Sequence, residues 1–108
     1  MSTIRRTMKL YISEEVMHIF RFEMEKFGMQ KICLTPVWVE GKEPKVWAMC
    51  EAGTISEPIV ELKSSEMSIW VPQKCLVELD EQLIVRGGKG FTIGSMTDSL
   101  LSRATPFE

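Results

Sequence analysis

Thr7-Met8-Lys9-Leu10-Tyr11-Ile12-Ser13-Glu14-Glu15-Val16 begins the stretch whose reading decides the fold. Met8, Leu10 and Ile12 recur at every second position, so Thr7–Ile12 reads as a strand with one apolar face. Ser13 then offers a hydroxyl to the first free amides of a helix, and Glu14 and Glu15 suit the positive end of its dipole. The helix is expected over 14–27, with Val16, Ile19, Phe20 and Phe27 as its buried stripe. Arg21 and Glu25 fall on the wet face at i, i+4 spacing. Gly28 follows, where a left-handed cap would end the helix.

The remainder reads mostly as strand. Lys31–Val39 is rich in β-branched and aromatic residues, and Pro36 within it implies an edge or a bulge. Glu40-Gly41-Lys42-Glu43-Pro44 is a turn, Lys45–Cys50 a nearly continuous apolar strand, and Glu51–Glu57 a loop. Ile59–Lys63 and Met67–Val71 alternate around a short turn and form a predicted hairpin. Pro72 opens a short helix near 72–80, where its missing N–H costs little and Leu76 and Leu79 share a face. Leu83–Val85 and Phe91–Ile93 are strands on either side of a Gly87-Gly88-Lys89-Gly90 turn. Residues 96–108 lack periodicity and are expected to form a flexible tail. The order predicts a single α+β domain over 1–108. Its sheet is expected to be mainly antiparallel and sandwich-like, with one long and one short helix.

Composition bounds the function classes. The chain has 108 residues, 44% of them hydrophobic, enough for one core and too apolar for a disordered chain. A formal net charge of −2 with interspersed signs argues against a nucleic-acid binder, which carries a basic face. No apolar run approaches the roughly 20 residues that span a bilayer. Arg5, Arg6 and Lys9 break up any leader-like apolar segment, so the expected location is cytoplasmic. In such a reducing compartment, Cys33, Cys50 and Cys75 read as buried thiols. Their spacings of 17 and 25 residues lack the close pairing of a zinc or iron–sulfur motif, although they could converge in space.

Other candidate chemistry has local explanations. The glycine-rich stretch 87–90 precedes β-type sequence rather than a helix, so it reads as a hairpin turn and not a phosphate cradle. His18 is the sole histidine and falls off the apolar stripe. Glu14–Glu15 and Asp80–Glu81 sit at a helix start and a helix end, where capping accounts for them. No catalytic constellation emerges, and no enzyme activity is expected. Of the three tryptophans, Trp70 points opposite to Met67, Ile69 and Val71. That makes it the candidate partner surface, either for a second copy or for another protein.

Three stretches together resemble the A-type iron–sulfur cluster carriers, the HesB-like family. They are Met8–Glu15, Ile69-Trp70-Val71-Pro72-Gln73-Lys74-Cys75-Leu76-Val77-Glu78-Leu79-Asp80, and Gly90-Phe91-Thr92-Ile93. The resemblance implies a HesB-like fold, and in that family three cysteines hold the cluster. The family's loop cysteine falls near Gly41 or Lys42 here, and its tail pair near Ser102 and Ala104. None of these is a cysteine. What the resemblance implies is therefore a HesB-like domain without cluster ligands and without a cofactor, acting as an accessory or protein-interaction protein. The alternative is an iron–sulfur or metal carrier that uses Cys33, Cys50 or Cys75 in a different arrangement.

Overall fold

A computed structural model describes residues 8–28, 31–37, 40–42, 45–49, 59–87 and 90–108. Among the described residues, eight strands appear in chain order: β1 (Leu10–Ile12), β2 (Lys31–Val37), β3 (Lys45–Met49), β4 (Ile59–Lys63), β5 (Ser68–Pro72), β6 (Leu83–Gly87), β7 (Gly90–Gly94) and β8 (Thr105–Phe107). Helices α1 (Glu14–Phe27), α2 (Leu76–Leu79) and α3 (Asp98–Leu101) complete the fold, with a single 3-10 turn at Gln73–Cys75 leading into α2.

Helix α1 starts and stops where its sequence dictates. The Ser13 hydroxyl accepts a hydrogen bond from the Val16 amide at 3.3 Å. Gly28 adopts φ 65°, a left-handed cap whose N–H bonds the Met24 carbonyl. Val16 and Phe20 are buried as expected, while Ile19 is only half-buried. Met17 and Met24 also join the core side. The Phe27 side chain lies outside the described residues. The Phe20 ring meets Phe91 edge-on at 5.5 Å, which ties the helix to β7.

The expected sandwich is not what forms. The strands make one mixed sheet in the order β4-β5-β2-β3-β7-β6-β1-β8. Two of its neighbours are parallel, β1 with β6 and β2 with β5. Alternation reports which residues share a face and says nothing about strand direction, so sequence pattern alone could not find these two pairings. The helix content differs as well, since α3 was not expected.

This sheet curls until its two edges meet. β4 and β8 stand at opposite ends of the strand order, yet Lys63 and Glu108 exchange both backbone hydrogen bonds, at 2.8 and 3.0 Å. The contact is a single residue pair, and it ties the two edges together at one corner of the sheet. Residues 96–108, expected to fray, instead contain α3 and β8, and Phe107 is fully buried. β8 pairs antiparallel with β1, placing Phe107 opposite Leu10.

The inner face of the curl is the core. Leu62, Ile69 and Ile32 stand in one cross-strand row and are all buried, as are Ile12 and Ile84 in another. Val16, Met17 and Phe20 from α1, Cys75 from the 3-10 turn and Leu79 from α2 join the same cluster. Every buried side-chain polar atom among the described residues has a hydrogen-bond partner. Pro36 is buried in β2 opposite Val46, in an interior strand rather than an edge. β5 pairs with β2 only over Lys31–Cys33, so Pro36 lies past the end of that ladder, where a missing N–H is tolerated.

Phe107→Ala should remove a fully buried ring and the clamp on the last strand together. A loss of roughly 3–5 kcal/mol in urea unfolding is expected, as for other large aromatic truncations. Amide exchange at Lys63 should accelerate more than exchange in β2 or β5.

Candidate functional site

The outer face of the curled sheet carries the residue singled out from sequence. Glu61, Trp70 and Cys33 stand in one cross-strand row on β4, β5 and β2. They lie on the opposite side from Leu62, Ile69 and Ile32, as the alternation of Met67–Val71 requires. Trp70 is half-buried, and its indole Nε1–H donates to Glu61 Oε2 at 3.0 Å. Lys63 Nζ lies 3.4 Å from the other oxygen of the same carboxylate. The tryptophan is thus held in a fixed orientation by a carboxylate that a lysine also neutralises. Farther along β2, on the same side, Thr35 and Val37 are exposed.

The two described thiols do not come together. Cys33 is half-buried on the outer face, whereas Cys75 is buried in the inner cluster. Cys50 lies outside the described residues, as do Trp38 and the Glu51–Glu57 loop. Among the described residues, no group of three or more His, Cys, Asp or Glu side chains is placed to hold a metal ion. Gly41 and Lys42 occupy an exposed turn, Ser102 is exposed, and Ala104 is half-buried.

The remaining sequence candidates have structural positions. Gly87 and Gly90 pair across β6 and β7, so the glycine-rich stretch joins two strands and feeds no helix. A Cβ at Gly87 would come within 2.5 Å of the Thr92 methyl, which explains the glycine by close cross-strand approach. Asp80 accepts from the Lys9 amide at 3.1 Å, and the Glu81 amide donates to the Lys9 carbonyl at 2.7 Å. The end of α2 is thereby fixed to the chain just before β1. Glu81 adopts φ 59° there, an uncommon conformation for a residue with a Cβ. His18 is exposed on α1.

The described arginines have settings that sequence periodicity does not reveal. Arg21 was expected on the wet face beside Glu25. Both are exposed there, and Arg21 also reaches the β4–β5 turn, where its Nε and Nη2 donate to the two oxygens of Glu66 at 2.6 and 2.8 Å. This fork-to-fork pairing holds the Glu66 carboxyl below its ordinary pKa, chiefly through the hydrogen bonds from Arg21. The same bonds raise the Arg21 guanidinium. Arg86 and Arg103 have a different setting. Both line an open groove of about 800 Å³ bounded by the start of α1, the β6–β7 hairpin and α3. Arg86 Nη1 lies 3.6 Å from Glu15 Oε1, too far for a hydrogen bond. These two arginines are 17 residues apart in sequence and on different elements, so only the fold brings them to one groove.

No family model, curated protein or solved structure matches this chain. The likeness to the cluster carriers therefore rests on its three sequence stretches. In the structure these become β1 with the capped start of α1, β5 with the turn into α2, and β7. No helix among the described residues is long and apolar enough to cross a membrane.

The Arg21–Glu66 pair predicts an acid-sensitive contribution to stability. Because the folded carboxyl titrates below its unfolded value, the contribution is complete above the unfolded pKa. It is lost as pH falls through the lower, folded one. Glu66→Gln should therefore lower stability at neutral pH and converge with the wild type in strong acid. The check is urea unfolding at a series of pH values. A constant difference across the series would separate the destabilisation from this ion pair.

Proposed function

We propose that this chain is a non-catalytic accessory protein of the cytoplasm, related to the cluster carriers but without their ligand thiols. It acts by protein contact, first of all with a second copy of itself. The observation that carries this reading is Trp70. The inner face of the sheet is filled by the core, while this aromatic remains half-buried on the outer face with its indole N–H already bonded to Glu61.

An aromatic held in one orientation loses little conformational freedom when a partner covers it, and such residues dominate interface energetics. Half-buried Cys33 stands beside it in the same cross-strand row. A two-fold arrangement would place the same patch on both sides of one interface. The carrier alternative would use thiols, and its two described ones face opposite sides of the sheet.

Trp70→Ser should weaken the dimer by about tenfold or more, equivalent to about 1.4 kcal/mol, with the fold retained. Sedimentation velocity of both proteins across micromolar concentrations reads this directly. A wild type that sediments as a monomer throughout would defeat self-association, and an equally tight mutant dimer would move the interface elsewhere.

A further inference from the structure

We propose that the groove between α1, the β6–β7 hairpin and α3 binds a small organic zwitterion, with its acidic head on Arg86 and Arg103 and its ammonium group toward Glu14 and Glu15. This goes beyond the contact role of Trp70 and uses none of the same residues.

The first argument is how the arginines are used. Three arginines are described. Arg21 is fully engaged in a two-point pairing with Glu66. Arg103 forms no ion pair with a described residue, and Arg86 has only the 3.6 Å approach to Glu15. A guanidinium fork matches a phosphate or carboxylate head at two points, and these two forks line one groove.

The second argument is charge. Glu14 and Glu15 line the same groove, so its walls carry two positive and two negative groups. A simple anion entering there meets two carboxylates, and a simple cation meets two guanidiniums. A molecule that carries both signs on a short frame satisfies both walls. Serine hydroxyls add uncharged acceptors: Ser102 Oγ already donates to the Ser99 carbonyl at 3.0 Å, which leaves its lone pairs to accept from an ammonium.

Shape is the third. The groove has the volume of an ordinary small-molecule site. Val85, Gly94 and Leu100 are also among its lining residues and add apolar surface for a short carbon chain. A Cβ at Gly94 would come within 2.7 Å of both Val85 methyls, so the glycine leaves the space that the Val85 side chain occupies at the groove.

O-phosphoethanolamine is the probe, with inorganic phosphate and ethylamine as its two halves, titrated into the labelled full chain and followed by amide shifts. The expected result is a saturable response near Glu14, Arg86 and Ser102, at least about tenfold tighter than for either half. Arg86→Gln and Arg103→Gln should each weaken binding by about tenfold, a typical cost for a charge-assisted hydrogen bond. Glu15→Gln decides the ligand class, because it should weaken a zwitterion and strengthen a simple anion. The exposed positions of Glu15, Arg86 and Arg103 make loss of the fold unexpected, and the unperturbed amide spectrum of each variant checks it. The proposal is overturned by a response that does not saturate, by inorganic phosphate binding as tightly as the probe, or by tighter probe binding to Glu15→Gln.

Discussion

The paired backbone hydrogen bonds between Lys63 and Glu108 are the constraint on which the architecture turns. They join the two ends of an eight-stranded sheet, and joining them forces the sheet to curl. A curled sheet has an inside and an outside, which a flat sheet does not. The inside can be apolar, because the strands turn buried alternate residues, or partly buried ones in β7, toward one space. Lys9 Nζ reaches Glu108 Oε1 at 3.0 Å at the same corner, and Phe107 seals it from within. A surface ion pair of this kind adds little by itself. The buried ring and the paired strand carry the closure.

Helix α1 is positioned by the same geometry. It contributes Val16, Met17 and Phe20 to the interior, and its exposed side is clamped to the β4–β5 turn by Arg21 and Glu66. That turn is itself ordered by Ser64, whose hydroxyl donates to the Met67 carbonyl and accepts from the amides of Glu66 and Met67. The local turn therefore presents Glu66 to the helix in a set orientation. A distant pair, 45 residues apart in sequence, becomes two-pronged for a local reason.

Local features were legible in the sequence, and long-range ones were not. The boundaries of α1, its serine cap and its left-handed glycine follow from residue types that act on their immediate neighbours. The hairpin of β4 and β5, and the outward direction of Trp70, follow from period-two alternation. What stayed hidden needed partners far along the chain. The parallel pairing of β2 with β5 and the docking of β8 against β1 leave no local signature. The Thr105-Pro106-Phe107 strand is only three residues long, and its one strong apolar residue stands beside a proline, so periodicity cannot reveal it. The convergence of Arg86 and Arg103 belongs to the same class, since it follows from where α3 returns over the hairpin.

Where the chain has room to do chemistry follows from how completely its interior is used. Among the described residues the core is apolar, with the capping Ser13 as its buried polar side chain, and no buried side-chain donor or acceptor is left unmatched. An interior like that provides no polarised group for a ligand to meet. The described charged side chains stand outside that interior. On that surface the charged groups divide by geometry. Glu61 and Lys63 fix an aromatic, and Arg21 and Glu66 fix a helix, each pair within 3.4 Å or less of its partner. Arg86 stands farther from its nearest acid, at 3.6 Å, and shares a groove with Arg103. Short contacts satisfy the charges that hold the fold, and the looser ones retain donors that a bound molecule can use.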